Sequence, residues 1–162
     1  MGKNSKLRYK IKRQVTRFAS QLTDGWGKVE SRFTREMLYG IQASRDIKVS
    51  NVARELNEDI PLIKTENRLC RNLAKEDFTA SINQYLCWQG AGNVHEDTVL
   101  AVDISDVRKD YAEKMENMAS VRDGSTGKIV DGYWLCQVVG AHPCEDNIVP
   151  LYGELYSQEA ED

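Results

Sequence analysis

Asp103 is the residue whose setting most suggests chemistry. It closes an apolar run, Thr98-Val-Leu-Ala-Val-Asp103-Ile-Ser105. An ionised carboxylate in such a run is expensive to bury unless it is paired or holds a metal. Carboxylate oxygens suit Mg²⁺ or Mn²⁺, so Asp103 is either a metal-ligand candidate or a strand-end residue capping a loop. Asp106 and Asp110 follow at short intervals. Two-metal phosphoryl chemistry needs several carboxylates converging from separate elements, with ions about 4 Å apart, and one aspartate does not make that site.

Other reactive groupings fail on spacing. Asp123-Gly-Ser-Thr-Gly-Lys128 resembles a phosphate loop only in part: Arg122 stands where the first glycine is needed, and Ile129 follows the lysine in place of Ser or Thr. It reads as a hairpin turn. Cys136, His142 and Cys144 lie close together but lack the paired spacing of a tetrahedral zinc site. The four cysteines form no CxxC, and free thiols are expected. No GxSxG or activated cysteine is present, so nucleophilic catalysis is not supported.

Charge is the second signal. The formal net charge of −3 hides a division: residues 1–75 hold 17 Lys/Arg against 8 Asp/Glu, and the remainder hold 5 against 17. A basic half of this kind suits a polyanion. With 162 residues, 41% hydrophobic and 29% charged, the chain suits one ordinary domain or two small ones with a packed core. No apolar run approaches the ~20 residues needed to span a bilayer. The N-terminus has charges but no apolar stretch behind them, so neither a secretory signal nor a membrane partner is expected.

These groups must be positioned by a helical half and a strand-rich half. Leu7, Ile11, Val15, Phe18 and Leu22 predict one apolar stripe on a helix over 6–22. Lys6, Arg8, Lys10, Arg13 and Arg17 on its remaining surface are candidates for sequence-independent phosphate contacts. Val29, Phe33, Met37 and Ile41 predict a second helix. Ser50 is a plausible N-cap for a third helix carrying Val52 and Leu56, ended by Asp59-Ile60-Pro61. A fourth helix over 62–73 presents Lys64, Thr65, Asn67, Arg68 and Arg71 between Ile63, Leu69 and Leu73. Two short helices about a tight turn, the second rich in base-reading side chains, describe a helix-turn-helix with those five residues as its contacting face. The alternative is a helical hairpin in which Arg68 and Arg71 pair with nearby acids.

Gly90-Ala-Gly-Asn93 looks like a boundary. Beyond it, 98–105 suits a central strand covered on both faces, residues 107–120 are either a short helix or an ordered loop, and 132–141 and 148–155 predict two more strands. The expectation is an α+β chain: a basic helical region over 1–90, then a three-stranded β-meander over 98–162.

The ordered series Val99-Leu-Ala-Val-Asp103-Ile-Ser-Asp106-Val-Arg-Lys109-Asp-Tyr111-Ala, Lys114-Met-Glu116, Val121-Arg-Asp123-Gly-Ser125, Gly132-Tyr133, Val149-Pro-Leu-Tyr152 and Glu154-Leu-Tyr-Ser157 resembles the opening of the catalytic domain in bacterial insertion-sequence transposases of the DDE type. The resemblance implies a ribonuclease H-like mixed sheet behind an N-terminal DNA-binding region. It implies Asp103 as the first catalytic aspartate, a ligand for Mg²⁺ that activates water or a 3′-hydroxyl against a phosphodiester, with Asp106 in a supporting role. The implied partners are double-stranded DNA at transposon ends, further copies of the chain, or a full-length transposase. The implied location is the bacterial cytoplasm, at the nucleoid. Members of the family carry a second aspartate and a helix-borne glutamate beyond the third strand. Glu154, Glu159 and Glu161 lie on or beside that strand and do not substitute. The resemblance thus implies the front part of a nuclease, incomplete over 98–162 and inactive alone; the alternative is a DNA-binding regulator or inhibitor of a full-length relative.

Overall fold

The computed structural model describes residues 3–75, 77–110, 112, 114–143 and 148–160, with side chains from Tyr9 onward. Five helices precede a four-stranded antiparallel sheet, an α+β arrangement. The chain divides into two units, residues 1–78 and 79–162.

In the first unit, the 3.6-residue stripe does what its spacing requires. Helix α1 (Lys3–Leu22) buries Val15, Ala19 and Leu22, half-buries Ile11 and Phe18, and packs on α2 (Lys28–Ser44). Helices α3 (Val49–Leu56) and α4 (Leu62–Leu73) pack on α2 and on each other. Phe33, Val52, Ala53 and Leu69 form its buried centre, flanked by Met37, Ile41, Val49, Leu56 and Phe78. Trp26 stacks on Phe78 with ring centroids 5.1 Å apart. Gly40 lets α2 and α3 approach closely, since a Cβ there would lie 2.4 Å from Val52 Cγ1.

Two local expectations change. Ser50 lies inside the first turn of α3, not at its N-cap, which is Lys48. The side chain serving that end is Asp46, whose carboxylate accepts from the Lys48 amide at 3.0 Å and from Asn51 Nδ2 at 2.5 Å; these bonds hold the Asp46 carboxyl below its ordinary value. In α4, only Leu69 of the three apolar residues is buried, and Ile63 and Leu73 are exposed. The α3–α4 turn begins at Asn57 with φ +48°, a left-handed conformation that asparagine tolerates better than most residues.

In the second unit, β3 (Ile129–Ala141) is the central strand. Strand β1 (Val99–Arg108) lies along one side of it; β2 (Ala119–Arg122) and β4 (Ile148–Tyr156) share the other, and every pairing is antiparallel. The sheet is therefore four-stranded and antiparallel, not three-stranded or mixed. The added strand begins at the end of the stretch left open between helix and loop and runs two residues past it: Ala119 and Val121 are buried and alternate with exposed Ser120 and Arg122, a two-residue period. Connections of hairpin length join β2 to β3 and β3 to β4, and such lengths favour antiparallel neighbours.

Helix α5 (Thr79–Ala91) belongs with the sheet, so the division falls before it and not at Gly90–Asn93. It packs on β4, with Gly90 so close to Leu151 that a Cβ would lie 2.5 Å from Leu151 Cδ2. The Asn83 amide donates to the Gly153 carbonyl at 2.9 Å and accepts from the Gly153 N–H at 3.0 Å, which satisfies backbone groups on the side of β4 away from β3. Among the described residues, strand β1 has no such cover. It is an edge strand, not a central one, and Val99, Leu100, Val102 and Ile104 are each more than half exposed.

Candidate nucleic-acid interface and the Asp103 strand

Helix α4 separates its polar residues by direction. Lys64, Asn67 and Arg71 are exposed along one stripe at intervals of three and four residues. Thr65 and Arg68 turn inward, which removes them from the expected contacting face. Thr65 is 2% exposed and donates its hydroxyl to Glu58 Oε2 at 2.7 Å. Arg68 donates to Glu36 Oε2 at 2.5 Å and to Glu58 Oε2 at 2.8 Å, and Arg32 reaches the other oxygen of each acid at 2.6 and 2.8 Å. The result is a closed ring of two guanidiniums and two carboxylates that ties α2, the α3–α4 turn and α4 together. The Thr65 hydroxyl, with Arg68 behind it, holds the Glu58 carboxyl below its ordinary value. Burial works against the charge on Arg68, but Glu36 and Glu58 outweigh it and its pKa rises. A DNA strand would have to compete with two carboxylates for this guanidinium. Glu36 and Glu58 are the residues the sequence pattern did not single out, and their only advance signal was the alternative of a helical hairpin in which Arg68 pairs with nearby acids.

On α1, Lys10, Arg13 and Arg17 are exposed and share one stripe, again at intervals of three and four. Lys12 lies over the Tyr39 ring, 5.6 Å from its centroid. Lys6 and Arg8 fall on the same helix, but their side chains lie outside the described residues. The first unit as a whole carries 17 Lys/Arg against 10 Asp/Glu.

Asp103 lies on β1 opposite Gln137 and is exposed, with the Ser105 hydroxyl donating to its Oδ2 at 2.7 Å. Alternation along a strand puts Asp106 on the other face, where it accepts from the Gly124 amide at 2.9 Å. The two aspartates therefore do not converge on one ion. Among the described residues, no group of three His, Cys, Asp or Glu side chains is arranged to hold a metal. One carboxylate is a poor fit to Mg²⁺ on its own, because the ion needs a near-octahedral oxygen shell.

The turn at 123–128 joins β2 to β3 as a hairpin. Asp123 is 3% exposed and organises it, accepting from the Ser125 amide and hydroxyl, the Thr126 amide and hydroxyl, and Arg108. The Ser125 and Thr126 hydroxyls, aided by Arg108, hold its carboxyl well below the usual range. Cys136 sits on β3, and His142 pairs with Asp97 at 2.8 Å. Cys144 lies outside the described residues. No described helix is long and apolar enough to cross a membrane. No family model, curated protein or solved structure matches this chain.

Proposed function

We propose that the chain binds double-stranded DNA through its basic helical unit, and that its second unit is the front of a DDE-type transposase nuclease with Asp103 as the first catalytic aspartate. The observation that carries the DNA reading is the exposure of Lys64, Asn67 and Arg71 along one stripe of α4, while Thr65 and Leu69 of the same helix are buried. Lysine, asparagine and arginine are side chains that reach base edges in the major groove. The exposed stripe on α1 supplies phosphate contacts, which position a duplex without reading it.

Two features support the nuclease reading beside the ordered sequence resemblance. The strand bearing Asp103 has an open outer edge, and its apolar side chains are exposed, as a sheet receiving further strands and helices requires. Mg²⁺ in a completed site would stabilise charge on the scissile phosphate. Because no acid of the described residues converges with Asp103, the chain by itself is proposed to bind DNA without cleaving it, at the nucleoid and alongside further copies or a full-length transposase. The test is incubation of the purified chain with supercoiled plasmid and Mg²⁺. No nicking above the level of Asp103→Ala is expected; nicking that Asp103→Ala abolishes contradicts the proposal.

A further inference from the structure

The first unit has a cleft of about 450 Å³ between the start of α2 and the end of α4, which the α4 stripe reaches only through Arg71. Arg32 and Arg68 line it, held in place by the ring with Glu36 and Glu58. Lys28, Arg71 and Lys75 complete its charged lining, with Val29 as an apolar wall, and no carboxylate of the described residues lines it. Among the described residues, no ion pair involves Lys28, Arg71 or Lys75.

Lys28 is badly placed for helix stability. It is the first residue of α2, where the helix dipole disfavours a cation. Glu30, the acid in that first turn, folds back towards Gly27 and does not line the cleft. Lys28 faces a concave surface, shared with the end of α4, that no carboxylate of the described residues lines.

We propose that this cleft is a phosphate clamp: Lys28, Arg71 and Lys75 grip a backbone phosphate of the duplex that α4 reads. This rests on the DNA-binding reading and extends it, because it assigns Arg71 to the phosphate and leaves Lys64 and Asn67 to face the bases. The ring of Arg32, Arg68, Glu36 and Glu58 is the rigid floor that fixes the cleft at a set distance from the reading stripe.

The test is fluorescence anisotropy of 30-base-pair duplexes of several sequences from 50 to 300 mM NaCl, with the full chain and its K28Q/K75Q variant. Each lost phosphate contact lowers the slope of log K against log salt by about 0.9. The variant, which strips two of the three cations from that one phosphate, is expected to lose about 0.9 from that slope on every duplex, so its affinity falls about threefold less between 50 and 200 mM NaCl than the wild type's. Lys28 and Lys75 are exposed, so the variant's thermal melt should match wild type. A slope equal to wild type overturns the clamp and leaves the DNA reading intact. Weakening confined to one duplex sequence overturns the phosphate assignment. Absence of duplex binding by the wild type overturns the DNA reading and the clamp with it.

Discussion

Arg68 and Arg71 stand three residues apart on α4, yet the structure gives them opposite duties, and exchanging either for alanine separates them. Arg68→Ala removes two charged hydrogen bonds, at 2.5 and 2.8 Å, from Glu36 and Glu58, whose side chains are only 13% and 21% exposed. Hydrogen bonds to charged groups are worth about 1.5–3 kcal/mol each. Arg32 remains on both acids and water reaches them in part, so the loss is discounted to about 2 kcal/mol in total. For a cooperative unit of this size that corresponds to a fall of about 8–16 °C in melting temperature. Among the described residues, the Arg71 side chain donates only to the Asn67 carbonyl, at 3.2 Å, and it is exposed; its alanine variant should melt within about 2 °C of wild type and lose duplex affinity. The assay pairs circular dichroism melting of the full chain at pH 7 with anisotropy on a duplex at a temperature where both variants are folded. The ring has a pH signature too. A Glu58 carboxyl held low contributes stability that is present above its unfolded value and lost as pH falls through the folded one. The gap between wild type and Arg68→Ala should therefore narrow as the solution is taken below the ordinary glutamate range. If Arg68→Ala melts like wild type but no longer binds DNA, the reasoning about the ring is wrong.

Other consequences are as direct. Leu69 is fully buried among Phe33, Val52 and Ala53, so Leu69→Ala should cost about 2–5 kcal/mol by denaturant titration, with duplex binding kept in the fraction that remains folded. Asp123→Ala removes the acceptor at the centre of the β2–β3 turn and should abolish slow amide exchange at Ser125 and Thr126 by hydrogen-exchange NMR. Because the Asp123 carboxyl is held low, those amides should stay protected in wild type below the ordinary aspartate range and lose protection only in stronger acid. Val102→Lys places a charge on the exposed edge strand and should reduce self-association in analytical ultracentrifugation, since unpaired apolar edges invite strand pairing.

Much of the helical unit was legible because its signals are local. The stripe from Ile11 to Leu22 and the span of α4 follow from spacing and Pro61. What spacing does not tell is which polar residue faces a partner inside the fold. Thr65 and Arg68 look as suited to DNA as Asn67 and Arg71; the acids that claim Arg68 lie 32 and 10 residues away. Asp46 was hidden in the same way, because Ser50 offers the more familiar cap while the working carboxylate stands before the helix. In the sheet, the apolar run ending at Asp103 was plain, but its place at an edge was not: exposed Val102 and Ile104 carry the composition of a covered strand. Strand β2, only four residues long, gives too short an alternation to announce itself. The glycines near residue 90 suggested a boundary, whereas Gly90 serves close packing of α5 on Leu151.

The most direct test of the account is the binding of the purified full chain to a 30-base-pair duplex as a function of salt, with Lys10, Arg13, Arg17 and Arg71 intact and then neutralised together. With those four as phosphate contacts, the wild-type slope of log K against log salt is predicted to be about −3.6 or steeper, and neutralisation should flatten it by about that amount. Binding that is absent at 50 mM NaCl, or that does not change with salt, would contradict the claim that the helical unit is a DNA-binding module.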